Sequence, residues 1–211
     1  MTYSLNTLNS TRTAAPSERS AGSRFANELA LLAGFVALAF WLLAMLSYSA
    51  QDPAWSTSGA SALVHNRAGR LGAWLADGSY YLLGFSVWWC FAAGVRAWLT
   101  ALARWMRSRE LIASPAQSSQ HLHDDSRLAR WTASRAAFWL GLAVLLCAST
   151  ALEWSRLYSL EPRLPGHVGG VLGYLVGPLS VKWLGFAGSG LIAIALGVLG
   201  IFWPGFFVIA L

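Results

Sequence analysis

The residues best suited to chemistry in this chain form a short cluster of two histidines and two aspartates, His121, His123, Asp124 and Asp125. Imidazole and carboxylate groups are common metal ligands, but a site needs a scaffold that fixes their geometry. The cluster lies in a polar, serine-rich stretch at 114–126 (SPAQSSQHLHDDS), whose composition is typical of a linker. We therefore predict no metal site.

Two further residues resemble parts of catalytic or nucleotide-binding motifs. Ser189 lies in Ala-Gly-Ser-Gly, but a serine nucleophile needs a histidine within hydrogen-bond reach, and all four histidines lie outside the long apolar stretches. Lys182 is followed by Trp183, whereas the lysine of a phosphate-binding loop is followed by Ser or Thr. We predict no catalytic residue, no cofactor and no enzyme activity. The two cysteines, Cys90 and Cys147, are predicted to be unbridged apolar fillers.

The composition indicates where such a chain resides. Of its 211 residues, 56% are hydrophobic and only 11% are charged, and the mean hydropathy is +0.49. Soluble domains carry about 25% charged residues. This composition excludes a soluble enzyme, a disordered chain and a disulfide-rich secreted domain, and it predicts an integral membrane protein.

Four stretches are long enough to cross a bilayer, which takes about 20 apolar residues as a helix. We predict an all-α membrane protein in which a disordered tail, 1–24, precedes a four-helix membrane domain, 25–211. The predicted helices cover about 29–49, 71–103, 136–153 and 183–207.

The basic residues predict the orientation of these helices. Ten of the fifteen lie in the N-terminal tail or between Arg96 and Arg135, and cytoplasmic segments are enriched in Lys and Arg. Both termini and the loop 104–135 are therefore predicted to be cytoplasmic, and structured loops at 50–70 and 154–182 to be periplasmic. The glycine-rich part of the last loop, 164–180, either lies on the outer surface or enters the membrane buried against protein.

Two outer segments combine turn residues with aromatic residues, SYSAQDPAWS (47–56) and NRAGRLGAWLAD (66–77). Because a lipid anchor needs no specific chemistry there, we interpret them as a motif for packing or for a periplasmic interaction. Its predicted residues are Asp52, Pro53, Trp55, Ser56, Asn66, Gly69, Gly72, Trp74 and Asp77. The simpler interpretation of Asp77 is an interfacial residue beside Arg70. Small residues four apart predict close helix packing at Ser189, Ala193 and Gly197.

With LPGHVGGVLGYLVG (164–177), these motifs resemble the N-terminal four-helix membrane domain of FtsK/SpoIIIE-type DNA translocases, over about residues 25–211. The resemblance implies a bacterial inner-membrane anchor at the division septum, active in cell division and chromosome segregation. It also implies contacts with lipid and other divisome membrane proteins, and a homo-oligomer, in that family a hexamer. The family's ATP-driven motor is absent from this chain, so we expect no direct DNA or ATP binding.

The alternative function is a small inner-membrane transporter or channel subunit. Such proteins usually carry ionisable residues within their spans. Here the first, third and fourth spans have no charge in their central turns, and Asp77 and Arg96 are predicted near opposite ends of the second. The pattern therefore favours an anchor.

The predicted orientation is testable with topology reporters. Fusions at Ser118 and at the C-terminus should report a cytoplasmic location, and fusions near Ser58 and Pro165 a periplasmic one, because basic segments stay inside. A periplasmic signal at Ser118 would contradict the whole arrangement.

Overall fold

A computed structural model describes residues 21–57, 63–113, 135–157, 159 and 164–202. Within these ranges the regular elements are five α-helices and one short 3₁₀ turn. They are α1 (Ala21–Leu46), α2 (Gly69–Leu83), the 3₁₀ turn Gly84–Ser86, α3 (Val87–Ala113), α4 (Arg135–Arg156) and α5 (Gly170–Phe202). Most of the predicted tail, the linker and the last nine residues lie outside the described ranges.

Four helical stretches are long and apolar enough to cross a membrane: Phe25–Leu46, Gly69–Arg107, Ala137–Arg156 and Gly170–Phe202. Their apolar side chains point largely outward, as on α1, where Phe25, Leu32 and Val36 are exposed. In water such surface would be costly, but in a bilayer it contacts lipid. The predicted class, an all-α protein with four membrane spans, is confirmed.

The second predicted helix, 71–103, is not continuous. The stretch Gly69–Arg107 has 39 residues, which would make an unbroken helix about 58 Å long, roughly twice the hydrocarbon thickness. The break occurs at Gly84, whose backbone has φ 58° and ψ −143°, a conformation that residues with a side chain rarely adopt. The 3₁₀ turn follows, and α3 then starts in a new direction.

Helix α2 packs against the last turns of α1. A Cβ on Gly72 would lie 3.4 Å from the Cβ of Ala44, the Tyr80 hydroxyl donates to the Met45 carbonyl at 3.3 Å, and the Trp41 indole N–H donates to the Ser79 hydroxyl at 3.2 Å. Eight residues of α2, about 12 Å of helix, therefore contact only residues 41–45 of α1. The membrane crossing next to α1 is made by α3, where the Trp98 indole N–H donates to the Leu31 carbonyl at 2.8 Å.

This break also moves Arg96 away from the position predicted for it. Arg96 lies about midway along the crossing part of α3, which runs from Val87 to Arg107. Its guanidinium carbon lies 4.8 Å from the ring centroid of Phe138, near the start of α4. The side chain therefore extends from the middle of the span toward α4, where the aromatic face attracts it.

Helix α5 starts at Gly170 and is kinked at Gly185 (φ 69°, ψ 173°), so it consists of two helical segments. The second segment begins close to residue 183, where the fourth span was predicted to start, and the first segment was not predicted. Before the bend it runs in the same direction as α4, because Gly173 approaches the Thr150 carbonyl and Gly177 approaches the Trp154 ring. After the bend it runs antiparallel to α4. The chain thus enters the bundle, rises along α4 and then descends.

The loop before α5 is partly buried. Leu164 and Val168 are buried, whereas Gly166 and His167 are exposed, and Gly169 is so close to the Thr150 carbonyl that a Cβ there would lie 2.5 Å from it. The segment 164–169 therefore packs on α4, and from Gly170 onward the predicted loop is helical; its depth in the membrane stays a prediction.

Two apolar clusters hold these elements together. The outer one joins the end of α1, α2, the start of α3 and the buried loop: Met45, Tyr80, Val87, Leu164 and Val168. The inner one lies between α3 and α4: Ala93, Leu142 and Leu145, with Ile201 of α5 packed against it. Cys90 and Cys147 are unbridged.

Replacing Gly84 by alanine tests whether the break is required. A Cβ there would lie 2.7 Å from the Gly169 amide nitrogen, and alanine disfavours the positive φ of this position. We therefore expect the free energy of unfolding to fall by about 2–4 kcal/mol. Thermal unfolding in detergent should show a clearly lower Tm. Gly78→Ala is the matched control, because nothing lies within 4 Å of its added Cβ. Equal Tm values for the two variants would contradict the proposed role of the break.

Candidate functional site

Three buried carboxylates lie at one end of the bundle, which we call the outer end: the end formed by the described residues 46–57, 63–70, 156–157 and 164–170. Asp52, Asp77 and Glu153 are respectively 1%, 0% and 5% exposed. The ion pair found within the described part of the chain joins Asp52 to His65. The principal partners of all three are backbone N–H and hydroxyl groups, which make a buried carboxylate tolerable.

Asp52 closes the first outer loop. Its Oδ1 accepts the His65 amide N–H at 2.7 Å and lies 3.0 Å from the ring Nδ1 of His65, and its Oδ2 accepts the Asn66 amide N–H at 2.8 Å. The Thr57 hydroxyl donates to the Asp52 carbonyl at 2.7 Å. One carboxylate therefore fixes residues thirteen and fourteen positions later in the chain.

Asn66 attaches that closed loop to α1. Its amide group donates to the Ala44 carbonyl at 2.9 Å, which satisfies an acceptor near the end of the helix. Its side-chain oxygen accepts the Ala68 N–H at 2.9 Å and the Ser47 hydroxyl at 3.1 Å. Gly72 lies so close that a Cβ there would be 2.7 Å from this oxygen. Asn66 thereby sets the entry of the chain into α2.

Asp77 joins the first outer loop to α2. Its Oδ2 accepts the Ser56 N–H at 2.7 Å and its Oδ1 accepts the Ser56 hydroxyl at 2.6 Å. Both carboxylate oxygens are therefore engaged by one serine, and the side chain is fully buried. Asp77 is thus a structural group inside the fold whose observed partner is Ser56 and not Arg70. Its position at the membrane interface stays a prediction.

Glu153, like Asp77, joins a loop or turn to a helix, but on the other side of the outer end. Its Oε2 accepts the Phe85 N–H at 2.9 Å, its Oε1 accepts the Ser86 hydroxyl, and the Gly169 N–H also interacts with it. The group therefore binds the 3₁₀ turn and the buried loop to α4. We did not single out Glu153 from the sequence, although Ser149 and Glu153, four residues apart near the end of a largely apolar helix, indicate a polar face.

The remaining motif residues are placed around these carboxylates. Gly69 has φ 71° and begins α2, and Pro53 lies between Asp52 and Ala54, partly buried in the loop. Trp55 and Trp74 are 60% and 53% exposed, and Trp55 packs edge-on against Tyr81 with centroids 5.3 Å apart. The motif therefore divides into a buried polar framework and exposed aromatic side chains.

The small-residue row on α5 is only partly in close contact. Ser189 and Ala193 are buried, and the Ser189 hydroxyl donates to the Phe186 carbonyl of its own helix at 3.0 Å. A Cβ on Gly197 would have nothing within 4 Å, whereas one on Gly200 would lie 2.8 Å from the Cβ of Leu145. Within the described residues, Gly200 makes the closer approach to α4. The role predicted for Ser189, Ala193 and Gly197 stays a prediction.

The His121–Asp125 cluster lies outside the described residues.

The pKa of Asp52 gives a direct test of the closed loop. Burial by itself raises this pKa, but the N–H donors of His65 and Asn66 outweigh it and hold the pKa below its usual value. A lowered folded-state pKa means that the stabilisation is present at neutral pH and is lost as the pH falls below about 4. We expect the loop 47–66 to become protease-sensitive over that range.

The matched variant is Asp52→Asn, which keeps the shape but not the charge. Lost hydrogen bonds should lower the stability of the closed loop by about 1–3 kcal/mol. The loop should therefore be protease-sensitive already at pH 7, and its protease sensitivity should depend less on pH than in the parent. Glu28→Gln, on α1 far from the outer end, should behave like the parent. Identical pH profiles for the parent and Asp52→Asn would refute the assignment.

Comparison with known proteins identifies the family of this chain. A family model described as the 4TM region of DNA translocase FtsK/SpoIIIE matches residues 23–208. The chain is 34% identical to DNA translocase FtsK 2 of Ralstonia nicotianae over 79% of its own length, and 34% identical to DNA translocase FtsK of Pseudomonas syringae over 81%. It is 31% identical to DNA translocase FtsK 1 of Neisseria meningitidis over 76%.

The chain spans about a fifth of the length of these relatives: 19%, 19% and 18%. No solved structure matches it. The matched portion is the membrane region of the relatives, and the four apolar helical stretches described above agree with a multi-pass protein of the inner membrane. The chain belongs to the FtsK/SpoIIIE family of DNA translocases and represents its four-helix membrane-anchoring region.

Proposed function

We propose that this chain anchors an FtsK-type DNA translocase at the division septum, where it takes part in cell division and chromosome segregation. It does so as a noncatalytic module that self-associates and contacts other membrane proteins of the division machinery. The family match over residues 23–208 supports the anchoring part of this proposal. DNA translocation, which the names of the relatives state, is not part of the role proposed for these 211 residues.

The observation that carries the interaction role is the construction of the outer end. Anchoring requires only apolar spans, yet Asp52 and Asp77 are buried in a hydrogen-bonded framework that a simple polar turn would not need. Burying each carboxylate costs free energy because the group loses its hydration. In return, a fully hydrogen-bonded network holds the loop in a single shape. A fixed loop shape supports recognition of a partner.

The framework presents exposed side chains that suit such recognition. We define the outer aromatic face as Leu71, Trp74, Trp55 and Tyr81, of which Leu71 is 78% exposed. Aromatic side chains contribute large contact areas at a small entropy cost, and they are enriched in protein interfaces. Trp55 is also restrained by Tyr81, so less freedom is lost on binding. This face is the proposed contact surface.

One observation bears on the alternative, a transporter or channel subunit. Arg96 lies about midway along the Val87–Arg107 part of α3, and an ionisable residue within a span is often part of a transport pathway. The guanidinium, however, packs over the ring of Phe138, and the three buried carboxylates are all held at the outer end. This arrangement supports a structural role for Arg96 and favours the anchor.

The contact surface can be tested by removing its two tryptophans. Trp55→Ala with Trp74→Ala leaves the buried carboxylates and their donors intact, so membrane abundance and Tm should change little. Midcell localisation and the yield of crosslinked oligomers should fall severalfold, because exposed interface tryptophans often contribute 2 kcal/mol or more to binding. The measurements are fluorescence microscopy and in vivo crosslinking at equal expression.

Trp183→Ala is the matched control, because Trp183 is 78% exposed but lies on α5, outside the motif. It should localise like the parent. Unchanged localisation and unchanged oligomers in the double variant, at equal abundance, would refute the interaction role of the outer aromatic face. Loss of both in Trp183→Ala as well would indicate a general requirement for interfacial tryptophan.

A further inference from the structure

Charges at the outer end are separated by burial. The three carboxylates there, Asp52, Asp77 and Glu153, are each at most 5% exposed. Their oxygens accept from N–H and hydroxyl groups, and the ion pair found among the described residues joins Asp52 to His65. The permanently charged side chains exposed among the described residues of this end are all arginines: Arg67, Arg70 and Arg156. The described outer end therefore presents positive charge with no exposed carboxylate beside it.

Two of these arginines are available for a contact. The Arg67 backbone N–H donates to the Ser47 hydroxyl at 3.1 Å, but within the described part of the chain neither the Arg67 nor the Arg70 guanidinium has a hydrogen-bond or ion-pair partner. Arg156 differs, because its guanidinium donates to the Phe186 carbonyl at 3.0 Å and lies over the Phe186 ring. We call Arg67 and Arg70, which flank the start of α2, the arginine pair.

The arginine pair adjoins the outer aromatic face. Arg70, Trp74 and Tyr81 are four and seven residues apart, so they lie along one side of α2. Leu71 and Trp74 are 78% and 53% exposed. Eleven residues separate Arg70 from Tyr81, which is about 16 Å of helix and close to the length of five extended residues. One short segment of a partner can therefore contact the guanidinium groups and the aromatic rings together.

The chemistry of this combined surface selects its partner. A guanidinium pairs with a carboxylate through two parallel hydrogen bonds. Arginine, tryptophan and tyrosine are also the residue types that most often dominate the binding energy of protein interfaces. A second copy of the described outer end does not supply the carboxylates, because Asp52, Asp77 and Glu153 are buried. The acceptors must therefore come from a different surface.

We propose that the arginine pair and the outer aromatic face together bind an acidic segment of another protein, in which Asp or Glu residues stand beside aromatic residues. The inference rests on the proposed function, because it names the chemical class of the partner for the same surface. Lipid phosphate is the competing anion. Lipid headgroups are mobile and require no fixed protein shape, whereas Asp52 and Asp77 hold the loop and α2 in one geometry. The framework therefore favours a protein partner.

The test measures peptide binding to the 211-residue chain reconstituted in nanodiscs of neutral phosphatidylcholine. The probe is a fluorescein-labelled peptide of three Asp-Phe-Asp-Ser repeats, and its counterpart carries lysine in place of aspartate. Fluorescence anisotropy should show the aspartate peptide binding at least about tenfold more tightly, with an affinity that falls as the salt concentration rises, because the contacts are exposed charge pairs. Equal binding of the two peptides, or an affinity that does not depend on salt, would overturn the proposal.

Substitution of the arginines locates the contact. Arg67→Gln with Arg70→Gln should weaken binding of the aspartate peptide about tenfold, the loss expected for two exposed ion pairs. Arg67→Lys with Arg70→Lys keeps both charges and should retain most of the affinity. Arg104→Gln with Arg107→Gln is the matched control, because it removes two exposed arginines of α3 and lowers the net charge equally. Unchanged binding in the first variant, or an equal loss in the control, would overturn the assignment to the arginine pair.

Retention of lipid tests the competing anion. Native mass spectrometry of the chain extracted from nanodiscs that contain phosphatidylglycerol should show the same bound lipid for the parent and for Arg67→Gln with Arg70→Gln. Loss of bound phosphatidylglycerol in that variant, but not in Arg104→Gln with Arg107→Gln, would assign the arginine pair to lipid and overturn the proposal.

Failure of this inference is distinguishable from failure of the proposed function. The variant Trp55→Ala with Trp74→Ala tests the septal role by localisation, whereas Arg67→Gln with Arg70→Gln tests the charge of the partner by peptide binding. Lost localisation in the first variant with unchanged peptide binding in the second would overturn the acidic partner and leave the proposed function standing. Unchanged localisation in the first with weaker peptide binding in the second would refute the septal role and leave the charge preference of the surface in place.

Discussion

The outer end of this membrane region depends on one carboxylate on α4. The 3₁₀ turn Gly84–Ser86 joins α2 to α3, and its Gly84 carbonyl accepts the Val87 N–H at the start of α3. Glu153 accepts from Phe85 and Ser86, and it also meets the N–H of Gly169, next to the start of α5. The positive end of a helix dipole favours a negative group at such a position. A single buried side chain thus satisfies donors of the 3₁₀ turn before α3 and of the residue before α5.

Close backbone approach makes this arrangement possible. Gly84 and Gly169 are so near each other that a Cβ on Gly84 would overlap the Gly169 nitrogen, and Gly170 lies equally close to the carbonyl of Leu82. Both segments need glycine for their conformation as well as for their proximity, with positive φ at each residue. The Glu153 carboxylate and these glycines therefore depend on each other. The carboxylate supplies the hydrogen-bond acceptors, and the glycines, which have no side chain, let the backbone N–H groups come close to it.

The sequence predicted the class and the polar motif because both are local or compositional signals. Apolar length indicates spans whatever their packing, and Asp52, Asn66 and Asp77 were singled out from turn residues next to aromatic ones. The break at Gly84 was missed because apolar residues continue on both sides of it, so hydropathy does not change there. Glu153 was missed as a site because a charge at the end of an apolar run is ordinarily a boundary. Its partners, Phe85 and Gly169, are 68 and 16 positions away, and only folding brings them together.

The buried loop that precedes α5 has a consequence for biogenesis. Val168 and Gly169 are enclosed by residues from α2, the 3₁₀ turn and α4. This segment therefore lacks its packing partners until all of those elements are in place. Its irregular backbone cannot be released into lipid as a span can. Closure of the outer end therefore requires residues from distant parts of the chain to be in place together, and an arrangement that lacks one of them leaves Val168 and Gly169 without their packing partners.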